Sequence, residues 1–151
     1  MNITTTQVAE ISISYRPAIA DKPVIISALD AYLIFYDFFP INIINLQESF
    51  MVMYLNRANR CLGVFPASIG GITGTVADVR LILSVALKIV ATSILISHNH
   101  PSGNLKPSTA DIDLTYKIKE GGKLLDIRLI DHLIISPNEK DYFSFAENGI
   151  L

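Results

Sequence analysis

The chain has 151 residues, 50% of them hydrophobic, with a formal net charge of -2 and a pI near 5.8. That length fits one domain with a core of its own. The charge balance lacks the basic excess of a dedicated nucleic-acid binder and leaves DNA contact only to a local patch. The single cysteine, Cys61, excludes an internal disulfide and a cysteine-built zinc cage.

The start, Met1 to Thr6, has no basic residues and no apolar core of a secretory signal. The most apolar stretch, Leu81 to Ile96, is interrupted by Lys88 and is too short to span a bilayer. A cytoplasmic, reducing compartment without membrane attachment is expected, with Cys61 as a small half-buried hydrophobe.

Residues 8–15 alternate in the manner of a short strand, and Pro17 and Pro23 bracket a linker. Residues 1–24 are therefore read as an N-terminal strand and linker, and 25–151 as the domain. Ser27-Ala28-Leu29-Asp30 resembles a capping box and opens a helix to Phe39, stopped by Pro40. Residues 48–56 read as a buried strand, Asn56 to Asn59 as a hairpin turn, and Arg60 to Pro66 as the returning strand. Gly70 to Gly74 is a glycine-rich connector without the Gly-Lys-Ser/Thr ending of a phosphate loop. Thr75 to Asp78 caps a helix reaching about Ala91, and Thr92 to Ser97 is a short apolar strand. Ser108 opens another helix, ending near Gly121-Gly122. Ile127 to Ile135 is a last central strand, and Phe143 to Leu151 closes the chain. Strands alternating with helices predict an α/β fold, a central sheet with helices on both faces.

The informative stretch is Ser97-His98-Asn99-His100-Pro101-Ser102-Gly103, followed by Ser108-Thr109-Ala110-Asp111. In a strand, residues i and i+2 project from one face, so both imidazoles aim at one point. Pro101 and Gly103 break the strand there and leave the rings at the sheet rim. Asp111, one turn into the next helix, can fold back over the pair. Two imidazoles, a carboxylate and water form the open coordination of a catalytic zinc site. Glu48, at the start of an apolar strand, is the candidate general base, and Ser108 the candidate stabiliser of a developing oxyanion. Each residue also has a plainer reading. A histidine pair can be a polar rim, Ser108-x-x-Asp111 is a capping box by itself, and Glu48 can be a solvated strand-start residue.

With the upstream Glu48, the run His98-Asn99-His100-Pro101, Ser102 to Pro107, Ser108, Thr109-Ala110 and Asp111 resembles the motif of the JAMM (MPN-plus, or JAB) metalloproteases. The phrases His98 to Ser108, Leu129 to Ile134, Phe50 to Gly63 and Thr73 to Lys88 resemble its bacterial RadC branch in particular. The resemblance spans roughly residues 45–151, with a looser match from Val8. It implies a cytidine-deaminase-like three-layer α-β-α sandwich with a mixed central sheet. It implies one Zn²⁺ per chain on His98, His100 and Asp111, Glu48 as catalytic base, and Ser108 as the residue that positions and polarises the scissile carbonyl. The substrate class it implies is a protein or peptide, cleaved at a peptide or isopeptide bond. Longer RadC proteins carry a helix-hairpin-helix segment before this domain, and the residues ahead of the first helix here are too few to form it.

Three other readings compete. A DNA-repair accessory role goes with the RadC name and with Lys106, Lys117, Lys119 and Lys123 near the site, although these do not form one helical face. A metal-free relative would only bind partners. Two histidines and a carboxylate also form the facial triad of non-haem iron, and zinc is preferred because Ser108 and Glu48 suit hydrolysis. His132, on an apolar strand, is expected in the core or behind the ligands. A homodimer could cover part of the large apolar surface.

Overall fold

The computed structural model describes residues 8–12, 14–17, 21–70, 76–138 and 140–151. Helix α1 (Ala28–Phe38) begins as its sequence predicts. Ser27 Oγ accepts the Asp30 N–H at 3.2 Å, and the Asp30 carboxylate accepts the Ser27 N–H at 2.9 Å. The hairpin follows, β1 (Ser49–Leu55) and β2 (Cys61–Ile69), and then α2 (Val79–Lys88), β3 (Ser93–Asn99), α3 (Thr109–Leu124), β4 (Arg128–Ile135) and the short β5 (Tyr142–Ser144).

The sheet order is β2-β1-β3-β4-β5. Only β3 and β4 run parallel, joined by the α3 crossover, and the other three pairings are antiparallel. Both faces are covered, so the strands read as nearly continuous apolar runs. Met51, Met53, Leu55, Leu95, Leu133 and Ile135 face α1 through Ala31, Tyr32 and Phe35. Phe50, Val52, Tyr54, Ile94 and Ile96 face Ile82, Leu83 and Ala86 of α2 and Ile118 of α3. The three-layer arrangement and the mixed sheet are those expected. Cys61 is buried in the α1-side core, and burial raises its thiol. Among the described residues no helix is long and apolar enough to cross a membrane.

Several boundaries move. None of the described residues within 8–15 lies in a strand. Every described residue within 8–15 is exposed, so the alternation has no buried side to hold it against a sheet. Beyond Gly70, the glycine-rich connector lies outside the described residues, as does Thr75; Asp78 is the N-cap of α2. Strand β2 continues past Pro66 to Ile69, because the missing N–H of a proline is tolerated on an edge strand.

The α2 helix stops at Lys88 rather than near Ala91, and α3 runs through Gly121-Gly122 to Leu124. Both ends are Schellman closures whose left-handed residue is not glycine: Val90 (φ 58) and Asp126 (φ 55). Ala91 N–H bonds Ala86 O at 2.9 Å, and Ile127 N–H bonds Gly122 O at 2.8 Å. Gly122 serves packing instead of stopping the helix. A Cβ there would sit 2.4 Å from the Ile127 carbonyl oxygen.

Candidate metal centre

The parallel β3–β4 pair and the start of α3 build one cluster. Strand β3 extends beyond Ser97 to Asn99, so His98 lies within the strand and His100 one residue past its end. His98 is buried and His100 half-buried. Their Nε2 atoms stand 2.9 Å apart, as the i, i+2 spacing predicts.

Asp111 is the third residue of α3 and completes the Ser108 capping box. Its carboxylate does two jobs. Oδ2 accepts the Ser108 N–H and the Ser108 hydroxyl, both at 2.7 Å. Oδ1 lies 3.2 Å from His98 Nε2, and Oδ2 lies 3.5 Å from His100 Nε2. The cap and the cluster are thus one arrangement, and the helix N-terminus favours the negative charge. Burial works against the Asp111 carboxylate, but the His100 and His98 imidazoles and the Ser108 hydroxyl set against it outweigh that and hold its pKa well below the ordinary carboxylate range. For His100, burial lowers the imidazole pKa. The Asp111 carboxylate and the Asn104 carbonyl against the ring, with the charge of Glu48, more than reverse that and raise it.

Three candidate ligand atoms, one each from His98, His100 and Asp111, lie within 4.8 Å of one another. At His100, Nδ1 faces the Asn104 carbonyl oxygen at 2.5 Å. A carbonyl only accepts, so Nδ1 carries the proton and neutral His100 turns a bare Nε2 lone pair into the cluster. A carboxylate and imidazole lone pairs converging in this way call for a positive charge at their centre. Nitrogen and oxygen donors of this kind, three in number, suit a divalent ion with an open fourth position.

Glu48 lies half-buried one residue before β1, close enough for its charge to bear on His100. Its backbone carbonyl accepts the Gly70 N–H at 2.7 Å. The hydroxyl of Ser108, expected to face a substrate carbonyl, donates here to Asp111.

Two contributors escape the sequence reading. Thr115 is buried on α3 beneath Asp111, its hydroxyl 2.5 Å from the Asp111 carbonyl oxygen and 2.6 Å from His132 Nδ1. The spacing of four between Asp111 and Thr115 places them on one helix face, a signal available in the sequence. Asn99, between the two histidines, is fully buried on the opposite side of β3 and bonds the segment on both sides of Glu48. His132 is fully buried, its Nε2 2.8 Å from His98 Nδ1, in the core behind the candidate cluster. Loss of solvent is the main reason its imidazole pKa falls well below the ordinary value.

A family model described as "RadC-like JAB domain" matches residues 27–150, a span that holds every residue of this cluster. Among curated proteins, the chain is 46% identical over 104 residues to a UPF0758 protein of Flavobacterium johnsoniae, covering 69% of this chain and 44% of the relative. A UPF0758 protein of Porphyromonas gingivalis is 44% identical over 105 residues, covering 70% of this chain and 46% of the relative. One from Streptococcus suis is 43% identical over 103 residues, covering 68% and 41%. The chain spans less than half the length of these relatives.

Proposed function

The chain belongs to the RadC-like JAB domain family, and from that premise we propose that it is a zinc-dependent hydrolase of peptide or isopeptide bonds. In this reading His98, His100 and Asp111 hold the ion, and Glu48 is the general base. The observation that carries it is the convergence of two imidazole nitrogens and a carboxylate oxygen on one point.

Zinc held there would supply Lewis acidity, which lowers the pKa of water toward about 7. The protein's own residues do the rest. Glu48, beside His100, takes the proton of the attacking water and returns it to the leaving nitrogen, a service worth about 10²–10⁴-fold. Ser108 keeps Asp111 turned toward the histidines and offers its hydroxyl, beside that carboxylate, to a substrate carbonyl. The substrate is a protein or peptide chain, met in the cytoplasm. Elemental analysis of the tag-free protein beside its His98→Ala/His100→Ala variant tests the reading. About one zinc per chain, lost in the variant, is expected; no metal in either after zinc is added back overturns it.

A second reading has one observation in its favour. Lys119, Lys123 and Arg128 line a shared depression at the start of β4, the end of that strand away from the cluster. A DNA-facing accessory role would use these cations, and duplex binding that weakens steeply with salt would reveal it.

A further inference from the structure

His98 reaches the cluster through Nε2, and its other nitrogen is 2.8 Å from an imidazole rather than from a carboxylate or carbonyl. Histidines that hold metals ordinarily donate that second N–H to an acidic or carbonyl oxygen. The nearest acid in sequence to His132, Asp131, is not available. Its carboxylate is occupied by the backbone N–H groups of His132 and Ala146 and by the Ser144 hydroxyl.

The protons in the chain of contacts can be assigned one by one. Thr115 has a single hydroxyl proton. The Asp111 carbonyl oxygen, 2.5 Å away, can only accept, and two bare oxygens would not approach so closely; the proton lies there. Thr115 Oγ1 therefore has only lone pairs to offer His132 Nδ1, and Nδ1 is the donor at 2.6 Å. A fully buried imidazole with no acid hydrogen-bonded to its ring among the described residues stays neutral, which leaves His132 Nε2 bare. His98 Nδ1 must then donate to it. In neutral His98 the remaining nitrogen, Nε2, is a lone pair facing His100 and Asp111.

We infer that Thr115 and His132 are positioning residues: a one-way hydrogen-bond relay from the Asp111 backbone carbonyl fixes His98 as its Nδ1–H form, with Nε2 presented to the cluster. The relay starts and ends on the same residue, since His98 Nε2 meets the carboxylate of Asp111. It ties the first turn of α3 to both parallel strands. An aromatic ring runs parallel to each imidazole, and the two imidazoles are tilted by 54° to each other. Phe50 lies parallel to His98 at 6.2 Å, and Phe145 stacks on His132 at 4.5 Å. Its consequence for metal affinity rests on the zinc reading above; the proton order does not.

The test pairs Thr115→Val, which keeps the shape and removes the hydroxyl, with Thr115→Ser, which restores it. In mildly alkaline, metal-free protein, nitrogen-15 spectra of labelled histidines should show wild-type His98 with its proton on Nδ1. Thr115→Val should shift His98 toward the Nε2–H form, and Thr115→Ser should not. Competition titration with Zn²⁺ alone should show about 10–100-fold weaker binding for Thr115→Val and near-normal binding for Thr115→Ser. An Nε2–H His98 in the wild type, or an unchanged zinc affinity in Thr115→Val, overturns the relay. A wild type that takes up no zinc yet carries His98 as Nδ1–H removes the metal reading and supports the relay.

Discussion

Asn99 Oδ1 accepts the backbone N–H of Ser49 at 2.7 Å, so the residue between the two cluster histidines holds the start of the strand that follows Glu48. Its Nδ2 donates to the carbonyls of Ile44 and Gln47 at 2.7 and 2.9 Å. A single buried amide thus pins the chain on both sides of Glu48. Asn99→Ala would leave a buried N–H and two carbonyls without this partner, at about 1–3 kcal/mol for an unsatisfied group. The expected result is a stability loss of about 2 kcal/mol or more, with faster amide exchange at residues 44–49. Zinc stoichiometry should not change, because Asn99 bonds none of the three ligands. A Ser49 amide as protected as in the wild type would refute the clamp.

Glu48 and His98 should fail in different ways. In Glu48→Gln the three candidate ligands are untouched, so zinc content should stay normal while peptide hydrolysis falls by about 10²–10⁴-fold. His98→Ala should lose the metal and the activity together. Zinc analysis and a peptide-library assay on the same preparations separate the two. Full hydrolysis by Glu48→Gln would take Glu48 out of its role.

The metal-free protein should weaken in acid. Burial pushes His132 well below its ordinary pKa. A group depressed in this way stabilises the fold above its unfolded value, near 6.5, and loses that contribution as pH falls. His100 is raised and has the opposite slope: its stabilisation is complete below the unfolded value and is lost as pH rises through the folded one. Near neutrality the two oppose each other. Below about pH 6 the unfolded chain accepts a proton at His132 that the fold refuses, so stability drops by up to about 1.4 kcal/mol per pH unit. The depressed Asp111 adds to the loss below about pH 4. Denaturant melts of chelator-treated protein across this range provide the check. A flat profile between about pH 6 and pH 5 would contradict a neutral buried His132. Zinc should also leave in acid, since protons compete for the ligand nitrogens.

The parts of the site that the sequence makes legible are those set by short spacing. His98 and His100 two apart on a strand, and Ser108 and Asp111 three apart at a helix start, converge for local reasons. The rest depends on register between distant segments. His132 reaches His98 because β3 and β4 run parallel with a bulge at Ile94/Leu95 that pairs Ile96 with His132; nothing near His132 in the chain specifies that alignment. Asn99 finds its partners about fifty residues upstream. The apolar runs predict a sheet covered on both sides, but alternation alone does not make a strand: the described residues of 8–15 alternate in sequence and are all exposed.

Helices α2 and α3 both close on a left-handed residue that is not glycine, and the cost of that can be tested. Glycine is the usual left-handed residue at a helix end, and reading Gly121-Gly122 as that signal puts the end of α3 too early. The closures use Val90 and Asp126 instead. A β-branched residue at positive φ is an outlier, and the left-handed conformation costs an L-residue about 1–2 kcal/mol. Val90 is 78% exposed, so little packing offsets that strain. Glycine at this position would relieve it and return about 0.5–1 kcal/mol through its freer unfolded chain. Val90→Gly should therefore raise stability by roughly 0.5–1 kcal/mol, a few degrees in Tm at most for a chain of this size. Asp126→Gly should gain less, because aspartate tolerates the left-handed region better than valine. Thermal melts of the two variants beside the wild type decide it. A lower Tm for Val90→Gly would mean that the valine side chain contributes more at the α2 terminus than its strained backbone costs.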